Sequence, residues 1–313
     1  MNFEEFRKKY QKKEVTEYPN RVPSGPLVSV MVQTYQHKDY IKDCLNAILE
    51  QQTDFPVEIL LGEDGSTDGT REICIEYAKK FPEKIRLFLH QPENKVTVLG
   101  ITTGNFNALY NFYSARGAYV AFCEGDDLWK DPLKLQKQVD ALIQKPDLAF
   151  TYHSYTEVNH REELLPKELV LEQPTQDISE EDLKKLTFHP LLSTMCFRKF
   201  GKVLPEQMAE VINVDSFLLS LLGNYGEAGY HPDIAASYYR RHTGGIWSRK
   251  GKEIKLNSKI LTYTKLRDFY SKNERKVAQY FDQKIAQTHK MQSWRSLKSG
   301  NLSQAFIHWT NSW

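Results

Sequence analysis

The chain has 313 residues, 40% hydrophobic and 26% charged, a composition typical of a globular protein with enough apolar material for a large core. The net charge of +2 gives no sign of a polyanion-binding protein, and we expect no nucleic-acid partner. The charged first 20 residues lack a signal-peptide core, and no apolar run reaches about 18 residues, so we expect a cytoplasmic protein. The four cysteines form no CxxC pair, and we expect them to be free thiols.

Strands and helices alternate from residue 27 onwards. Residues 1–26 precede them and are predicted to form a short helix and a proline-containing linker. The alternation is typical of an α/β fold with right-handed crossovers and a mostly parallel sheet. The predicted strands are 27–32, 57–61, 85–89, 120–123 and 148–152, and the predicted helices include 105–114 and one that begins at Pro132 with Asp131 as its cap.

The second half of the chain is less regular. Residues 153–190 are polar and are predicted to form a long loop with one short helix near 179–186. The further predicted elements are a strand at 195–198, a helix at 213–223, a strand at 235–245 that leads into a basic loop, and an all-helical region from 251. We therefore divide the chain into an N-terminal segment (1–26), a main domain (27–250, with halves 27–150 and 151–250) and a helical C-terminal region (251–313).

Three carboxylates, Glu124, Asp126 and Asp127, follow the fourth predicted strand. Open α/β sheets bind their ligands at the carboxyl ends of the strands, so these acids lie where a ligand would bind. Their mutual repulsion favours a cation among them, and Mg²⁺ or Mn²⁺ takes carboxylate oxygens and bridges diphosphates. The alternative is that the acids only solvate a loop and favour the N-terminus of the next helix.

Two common nucleotide-binding motifs are missing from the sequence. The turn after the first strand has no glycine, so the GxGxxG motif of dinucleotide-binding domains is absent, and no GxxxxGK[ST] phosphate loop occurs. A sugar nucleotidyltransferase is a further alternative, but the glycine-rich basic loop expected after its first strand is also lacking.

Four motifs, in order, resemble those of family 2 glycosyltransferases with the GT-A fold. They are a strand ending in Thr34-Tyr35, Glu-Asp-Gly-Ser-Thr-Asp-Gly-Thr at 63–70, Glu-Gly-Asp-Asp at 124–127 and Tyr-Arg-Arg-His at 239–242. The resemblance covers residues 27–247 and is closest to bacterial enzymes that build surface polysaccharides. It implies a metal-dependent inverting transfer of a sugar from a nucleoside-diphosphate donor to an acceptor hydroxyl, with Mn²⁺ or Mg²⁺ as the cofactor.

The resemblance also implies a donor site. Thr34, Tyr35 and Asp64 match the nucleotide-binding positions, where a carboxylate can accept the N3–H of uracil. Ordinary turn chemistry is the alternative for Asp64, and Thr34 would otherwise only finish a strand. Glu124 and Gly125 match the start of the acidic motif that contacts the ribose, although Glu replaces the usual Asp.

The metal and the diphosphate are assigned in the same way. Asp126 and Asp127 match the metal-binding acids, and the imidazole of His242 is a further metal ligand. Arg240 and Arg241 suit phosphate oxygens, but side chains alternate along a strand, so only one of them is expected to face the site. Trp247 is expected to pack on the loop that closes over the donor or in the core.

The catalytic base is expected at a helix start in the acceptor half. Asp215 is the best match to the acid that takes the proton of the acceptor hydroxyl. The alternative is that Asp215 caps the helix. Asp233 and Glu210 are the nearest rival bases.

The C-terminal region is basic, since residues 251–313 hold 12 Lys or Arg and four Asp or Glu. Its apolar stripes favour packing on the main domain, and contact with an anionic membrane surface is a compatible second interpretation. We expect a saccharide or lipid-linked saccharide as acceptor, and a cytoplasmic protein that is peripheral on the inner face of the membrane if that contact exists. A nucleotide-sugar-binding protein without catalysis remains the alternative function.

Overall fold

The structure is a computed structural model that describes residues 1–242 and 251–312. The basic loop predicted after His242, including Trp247, lies outside the described residues. The helices are α1 (Phe3–Tyr10), α2 (Ile41–Leu49), α3 (Thr70–Lys80), α4 (Asn105–Ser114), α5 (Lys134–Gln144), α6 (Glu180–Lys184), α7 (Val214–Leu222), α8 (Lys252–Tyr270), α9 (Arg275–Lys298) and α10 (Leu302–Thr310). The strands are β1 (Thr16–Glu17), β2 (Val28–Thr34), β3 (Val57–Glu63), β4 (Ile85–Leu89), β5 (Val96–Val98), β6 (Ile101–Thr103), β7 (Tyr119–Phe122), β8 (Leu148–Tyr152), β9 (Tyr155–Val158), β10 (Cys196–Arg198), β11 (Glu227–Tyr230) and β12 (Ser237–Arg240).

An eight-stranded sheet organises the described chain, in the order β1-β4-β3-β2-β7-β10-β8-β11. Strands β4, β3, β2 and β7 are mutually parallel, as predicted. Strand β10 runs antiparallel to both of its neighbours, while β11 pairs with β8 in parallel. A small second sheet pairs β12 with β9, which places the 239–242 motif beside the end of the main sheet.

Both faces of the sheet are covered by helices. Side chains alternate along β7, so Val120 and Phe122 join one apolar cluster while Ala121 joins the other. Helices α2, α3 and α5 cover one face, and α4, α7, α8 and α9 cover the other. This burial on two sides explains why the central strands are almost continuous apolar runs in the sequence.

The C-terminal helices α8 and α9 pack on the main domain. Leu266, Tyr270 and Phe281 belong to the same apolar cluster as the sheet residues. Further along, Trp294 and Phe306 have more than half of their surface exposed. The packing predicted for this region is therefore observed for α8 and α9, whereas the domain boundaries stay a prediction.

The structure differs from the predicted elements at several places. Helix α5 begins at Lys134 and not at Pro132, because Oδ1 of Asp131 accepts a hydrogen bond from Leu133 N at 2.8 Å and forms a turn before the helix. Strands β1, β5, β6, β9 and β11 were not predicted, and β9 lies within residues 153–190, which were predicted to form a loop. No helix in the two described ranges has both the length and the apolarity needed to cross a bilayer.

Candidate functional site

The carboxyl ends of β2, β3 and β7 meet at one edge of the sheet. Thr34 ends β2 and pairs in register with Glu63 at the end of β3. The chain after β7 continues alongside β2, since the N–H of Gly125 donates to the carbonyl of Gln33 at 2.9 Å. This pairing places residues 124–127 beside the turn that follows Thr34.

One carboxylate and two imidazoles converge at this edge. Oδ2 of Asp126 lies 2.9 Å from Nε2 of His242 and 3.6 Å from Nε2 of His37. One ligand atom from each of the three residues falls within 4.8 Å of the others. Asp126 and His242 were predicted as metal ligands, and the structure brings them together. His37 was not predicted; it follows Thr34 by three residues, and a histidine just beyond a strand end of the site was the available signal.

Thr34 and Gly125 support the position of His37. Oγ1 of Thr34 lies 3.3 Å from Nδ1 of His37, so the Nε2 atom of the ring is directed to Asp126. A Cβ atom on Gly125 would lie 2.6 Å from Oγ1 of Thr34 and 2.9 Å from Nδ1 of His37. A glycine is therefore required for this close approach. Thr34 and Gly125 were predicted to bind nucleotide, and their observed contacts are with the histidine.

The electrostatics of Asp126 favour its charged form. Burial opposes ionisation, but the charge of His37 and the hydrogen bond and charge of His242 outweigh it and lower the pKa of Asp126. A carboxylate with two neighbouring imidazole nitrogens is a donor set that fits a divalent transition-metal ion. The hydrogen bond of Thr34 to the far side of His37 is the kind of outer contact that orients a metal-binding histidine.

Asp127 and Glu124 occupy different surroundings. Asp127 is buried, and its Oδ1 accepts a hydrogen bond from the N–H of Arg240 at 3.4 Å. Burial, followed by the charges of Asp126 and Glu124, raises the pKa of Asp127 well above its usual value. Asp127 thus lies outside the group of three ligand atoms. Desolvation by the surrounding protein, followed by the charges of Asp126 and Asp215, raises the pKa of Glu124 to about 8.

The two arginines of the predicted phosphate loop are held by acids. The side chain of Arg240 is buried and forms ion pairs with Asp43 at 3.3 Å and with Glu162. Nη1 of Arg240 also donates to the carbonyl of Asp126 at 3.1 Å, so this arginine stabilises the acidic turn. Arg241 points the other way and forms an ion pair with the buried side chain of Glu157. The alternation expected of a strand is observed, and Arg240 is the one that reaches the site.

A second group of polar side chains lies beside the end of β3. Asp64 is buried, and its N–H donates to the carbonyl of Thr34 at 3.0 Å. Its Oδ2 lies 3.6 Å from Nζ of Lys95, while its Oδ1 has no hydrogen-bond partner among the described residues. Burial raises the pKa of Asp64 to about 7, although Lys95 opposes the shift. Nζ of Lys95 also lies 3.2 Å from the ring centre of the partly exposed Tyr35. Lys95 was not predicted.

Asp215 faces this region from the acceptor half. It lies in the first turn of α7, where Asn213 is the residue that precedes the helix, so Asp215 does not cap it. Oδ2 of Asp215 is 3.6 Å from Nε2 of His189, which also lies 2.9 Å from Oγ of Ser216. The charge of Asp215 contributes to the raised pKa of Glu124, which places the two carboxylates in electrostatic range of each other.

The two rival bases are engaged elsewhere. Asp233 lies 3.2 Å from Nδ1 of His231 and 3.7 Å from Nζ of Lys137. Glu210 forms an ion pair with Lys265 at 2.6 Å, and this ion pair lowers its pKa. Of the three candidate bases, Asp215 is therefore the one whose charge contributes to the pKa of Glu124 in the acidic turn.

Comparison with known proteins gives one family match and similar relatives. An uncharacterised protein of Mycobacterium tuberculosis (strain ATCC 25618 / H37Rv) is 33% identical over 229 residues, which cover 70% of this chain and 60% of that protein. The chain thus spans about 60% of the length of its mycobacterial relatives. The putative teichuronic acid biosynthesis glycosyltransferase TuaG of Bacillus subtilis (strain 168) is 29% identical over 231 residues, 74% of this chain and 85% of TuaG.

The fold is shared with a solved structure. The crystal structure of Staphylococcus aureus TarS 1–349 in complex with UDP-GlcNAc superposes with a TM-score of 0.52 at 16% identity, and the match covers 90% of each chain. The α/β fold of the GT-A type predicted from the sequence is therefore confirmed. The model described as "Glycosyl transferase family 2" matches residues 29–202, more than half of the sequence. The chain belongs to glycosyl transferase family 2.

Proposed function

We propose that this protein is a metal-dependent inverting glycosyltransferase that moves a sugar from a nucleoside-diphosphate donor to an acceptor hydroxyl. One observation carries the proposal: His37, Asp126 and His242 meet at the acidic turn, and the charge of Asp215 contributes to the raised pKa of Glu124 in that turn. A diphosphate held at the group would present the sugar between it and Asp215. Membership of glycosyl transferase family 2 supports this arrangement.

The group of Asp64, Lys95 and Tyr35 is proposed to hold the base of the donor. Oδ1 of Asp64 is a buried acceptor that no described residue satisfies, and a uracil N3–H would satisfy it. The exposed ring of Tyr35 offers a face on which a base can stack. The UDP-GlcNAc complex of TarS supports a uridine nucleotide as the first donor to be tested.

The three-residue group is proposed to bind Mn²⁺. Two imidazole nitrogens beside one carboxylate favour Mn²⁺ over Mg²⁺, because Mg²⁺ prefers an all-oxygen shell. The ion would neutralise charge on the departing nucleoside diphosphate. His37 and His242 supply neutral nitrogens, Asp126 supplies the charge, and Thr34 fixes the orientation of His37. Asp127 stays a predicted ligand, and its buried side chain would have to turn to reach the ion.

Asp215 is proposed to take the proton of the acceptor hydroxyl. A single displacement at the anomeric carbon inverts its configuration and needs one base on the acceptor side. His189 lies 3.6 Å from the carboxylate and is proposed to orient it. Glu124 precedes Asp126 in the acidic turn and is proposed to contact the ribose.

The cellular role is proposed from the relatives and the surface. TuaG is named for teichuronic acid biosynthesis, which supports a role in the synthesis of a bacterial cell-surface polysaccharide, with a saccharide or lipid-linked saccharide as acceptor. Exposed Trp294, Phe306 and Trp309 accompany the excess of cations in the C-terminal region. Such a surface suits the inner leaflet of a membrane, so we propose a cytoplasmic enzyme that contacts this leaflet.

Asp215→Asn tests the proposed function. The variant keeps the shape of the side chain, so binding of UDP with Mn²⁺ is expected to match the wild type, while sugar transfer falls by about 10² to 10⁴ fold. Asp233→Asn is the matched control, since its carboxylate pairs with His231 and not with the acidic turn. Transfer is followed with a panel of nucleoside-diphosphate sugars, and NMR of the product gives the anomeric configuration. Undiminished transfer by Asp215→Asn would refute the role of the base, and a retained configuration would refute inversion.

A further inference from the structure

A cavity of about 450 Å³ lies between α7, α8, α9 and the segment before β10. Pockets of this size accommodate small ligands. The lining combines cationic, polar and apolar side chains from Leu186, His189, Asn213, Ser216, Lys252, Lys255, Leu256, Lys259, Thr262, Tyr263 and Arg295. Most of the surface that lines the cavity is apolar, with Leu186, Leu256 and the aromatic Tyr263 among its sources, so the cavity suits a ligand that has an uncharged part beside a charged group.

The charge of this cavity is one-sided. Lys252, Lys255 and Lys259 are spaced by three and four residues and so lie on one face of α8, and Arg295 approaches from α9. Within the described chain, no acidic residue contributes to the lining. Cations gathered on one helix face repel one another and lower stability, and a bound anion relieves that repulsion.

The cavity adjoins the candidate base. His189 and Ser216 line it, and Nε2 of His189 lies 2.9 Å from Oγ of Ser216 and 3.6 Å from Oδ2 of Asp215. The carboxylate of Asp215 therefore lies at the edge of the basic cavity.

The donor does not need this cavity. Its base is assigned to Asp64 and its diphosphate to the group around Asp126, both at the carboxyl edge of the sheet. The molecule that must approach Asp215 from the other side is the acceptor. Three lysines and an arginine favour an acceptor that carries a negatively charged group, and a phosphate group has the charge and the oxygen geometry that lysine and arginine bind.

We propose that this cavity binds a phosphate or phosphodiester group of the acceptor and so presents a neighbouring hydroxyl to Asp215. The inference rests on the proposed function and deepens it, since it names the acceptor as phosphate-bearing. Lys252, Lys255, Lys259 and Arg295 neutralise the phosphate, and the first turn of α7, which contains Ser216, adds the positive end of a helix dipole. The apolar wall around Leu256 and Tyr263 contacts the uncharged part of the acceptor.

The test uses the full chain and glycerol 3-phosphate as the probe, in EDTA so that no metal site contributes. Lys252→Gln/Lys259→Gln removes two cavity charges at exposed positions, and Lys272→Gln/Lys276→Gln removes two exposed charges that do not line the cavity. Calorimetry is expected to show binding to the wild type and the control, and binding at least about tenfold weaker in the cavity variant. An equal loss of affinity for glycerol 3-phosphate in both variants, or no loss in either, would overturn the inference. Equal thermal midpoints of the three proteins verify that the variants are folded.

A second arm separates the two sources of phosphate. Vesicles of phosphatidylcholine with phosphatidylglycerol are offered to the same three proteins. Binding to vesicles that depends on Lys252 and Lys259, without binding of glycerol 3-phosphate, would assign the cavity to lipid headgroups and overturn the acceptor assignment. The proposed function is judged independently, by release of UDP from the donor panel in the wild type. Phosphate binding without UDP release would refute the proposed function. UDP release by a protein whose phosphate binding is the same in the wild type and in Lys252→Gln/Lys259→Gln would refute only this inference.

Discussion

Gly125→Ala is expected to disable the site by a local clash. The new Cβ would lie 2.6 Å from Oγ1 and 2.8 Å from Cβ of Thr34, and 2.9 Å from Nδ1 of His37. Ordinary contact near 3.5 Å requires that the Thr34 hydroxyl move by about 0.9 Å. His37 would move with it, because the two side chains are in contact. A misplacement of about 1 Å can cost about 100-fold in rate, and the overpacking is expected to cost about 1 to 3 kcal/mol of stability.

The assay is sugar transfer with Mn²⁺ at saturating donor, together with Mn²⁺ binding followed by the EPR signal of the free ion. Gly104→Ala is the control, because a Cβ at Gly104 would have no atom within 4 Å and its φ is −83°. We expect about 100-fold slower transfer and weaker Mn²⁺ binding for Gly125→Ala, and values near wild type for Gly104→Ala. A Gly125→Ala protein that binds Mn²⁺ and transfers sugar as the wild type does would refute the argument that this glycine positions His37.

Three further predictions concern charges at the site. The pKa of Glu124 is raised to about 8, and a dication beside Asp126 would lower it. Calorimetry at pH 7 in buffers of different ionisation enthalpy should therefore show proton release on Mn²⁺ binding, which Glu124→Gln reduces. The pKa of Asp64 in the folded protein is raised to about 7, so the free energy of unfolding is expected to fall as the pH rises from about 4 to about 7. Asp64→Asn removes this loss, so it should raise the thermal midpoint more at pH 8 than at pH 5 while it weakens UDP binding. A pH-independent difference would contradict this. Arg240→Ala should lower the free energy of unfolding, measured by urea denaturation, by about 3 kcal/mol, because it leaves buried acids without their cation. The control Arg21→Ala removes an exposed ion pair and should cost less than about 0.5 kcal/mol. Equal losses in the two variants would contradict a supporting role of the buried Arg240.

Burial decided which parts of the fold could be predicted. The strands β2, β3, β4, β7 and β8 are covered on both faces, so their sequences are apolar runs that need no knowledge of their neighbours. Strand β9 contains the buried Glu157, whose carboxylate pairs with Arg241 just after β12 and accepts a hydrogen bond from the N–H of Leu171. Strand β11 contains Gly229 and one buried alanine, and it forms because β8 offers a parallel edge. Partners of this kind cannot be identified from a local pattern.

The site follows the same division. The acids at 124–127 could be found because charged residues after an apolar strand mark a sheet edge. His37 lies in an ordinary turn, and only the pairing of β2 with β7 brings it to Asp126. Lys95 reaches Asp64 from a segment that carries no motif. Arg240 was expected at the diphosphate, yet its guanidinium is taken up by Asp43 and Glu162, and sequence alternation could not show which acids would hold it.

Anomalous scattering at the manganese edge, from crystals grown with MnCl₂ and UDP, locates the metal itself. We expect one strong peak within bonding distance of Oδ2 of Asp126 and Nε2 of His37 and His242, in contact with the UDP diphosphate. A manganese peak held by other residues, or UDP bound with no manganese at this group, would contradict this expectation.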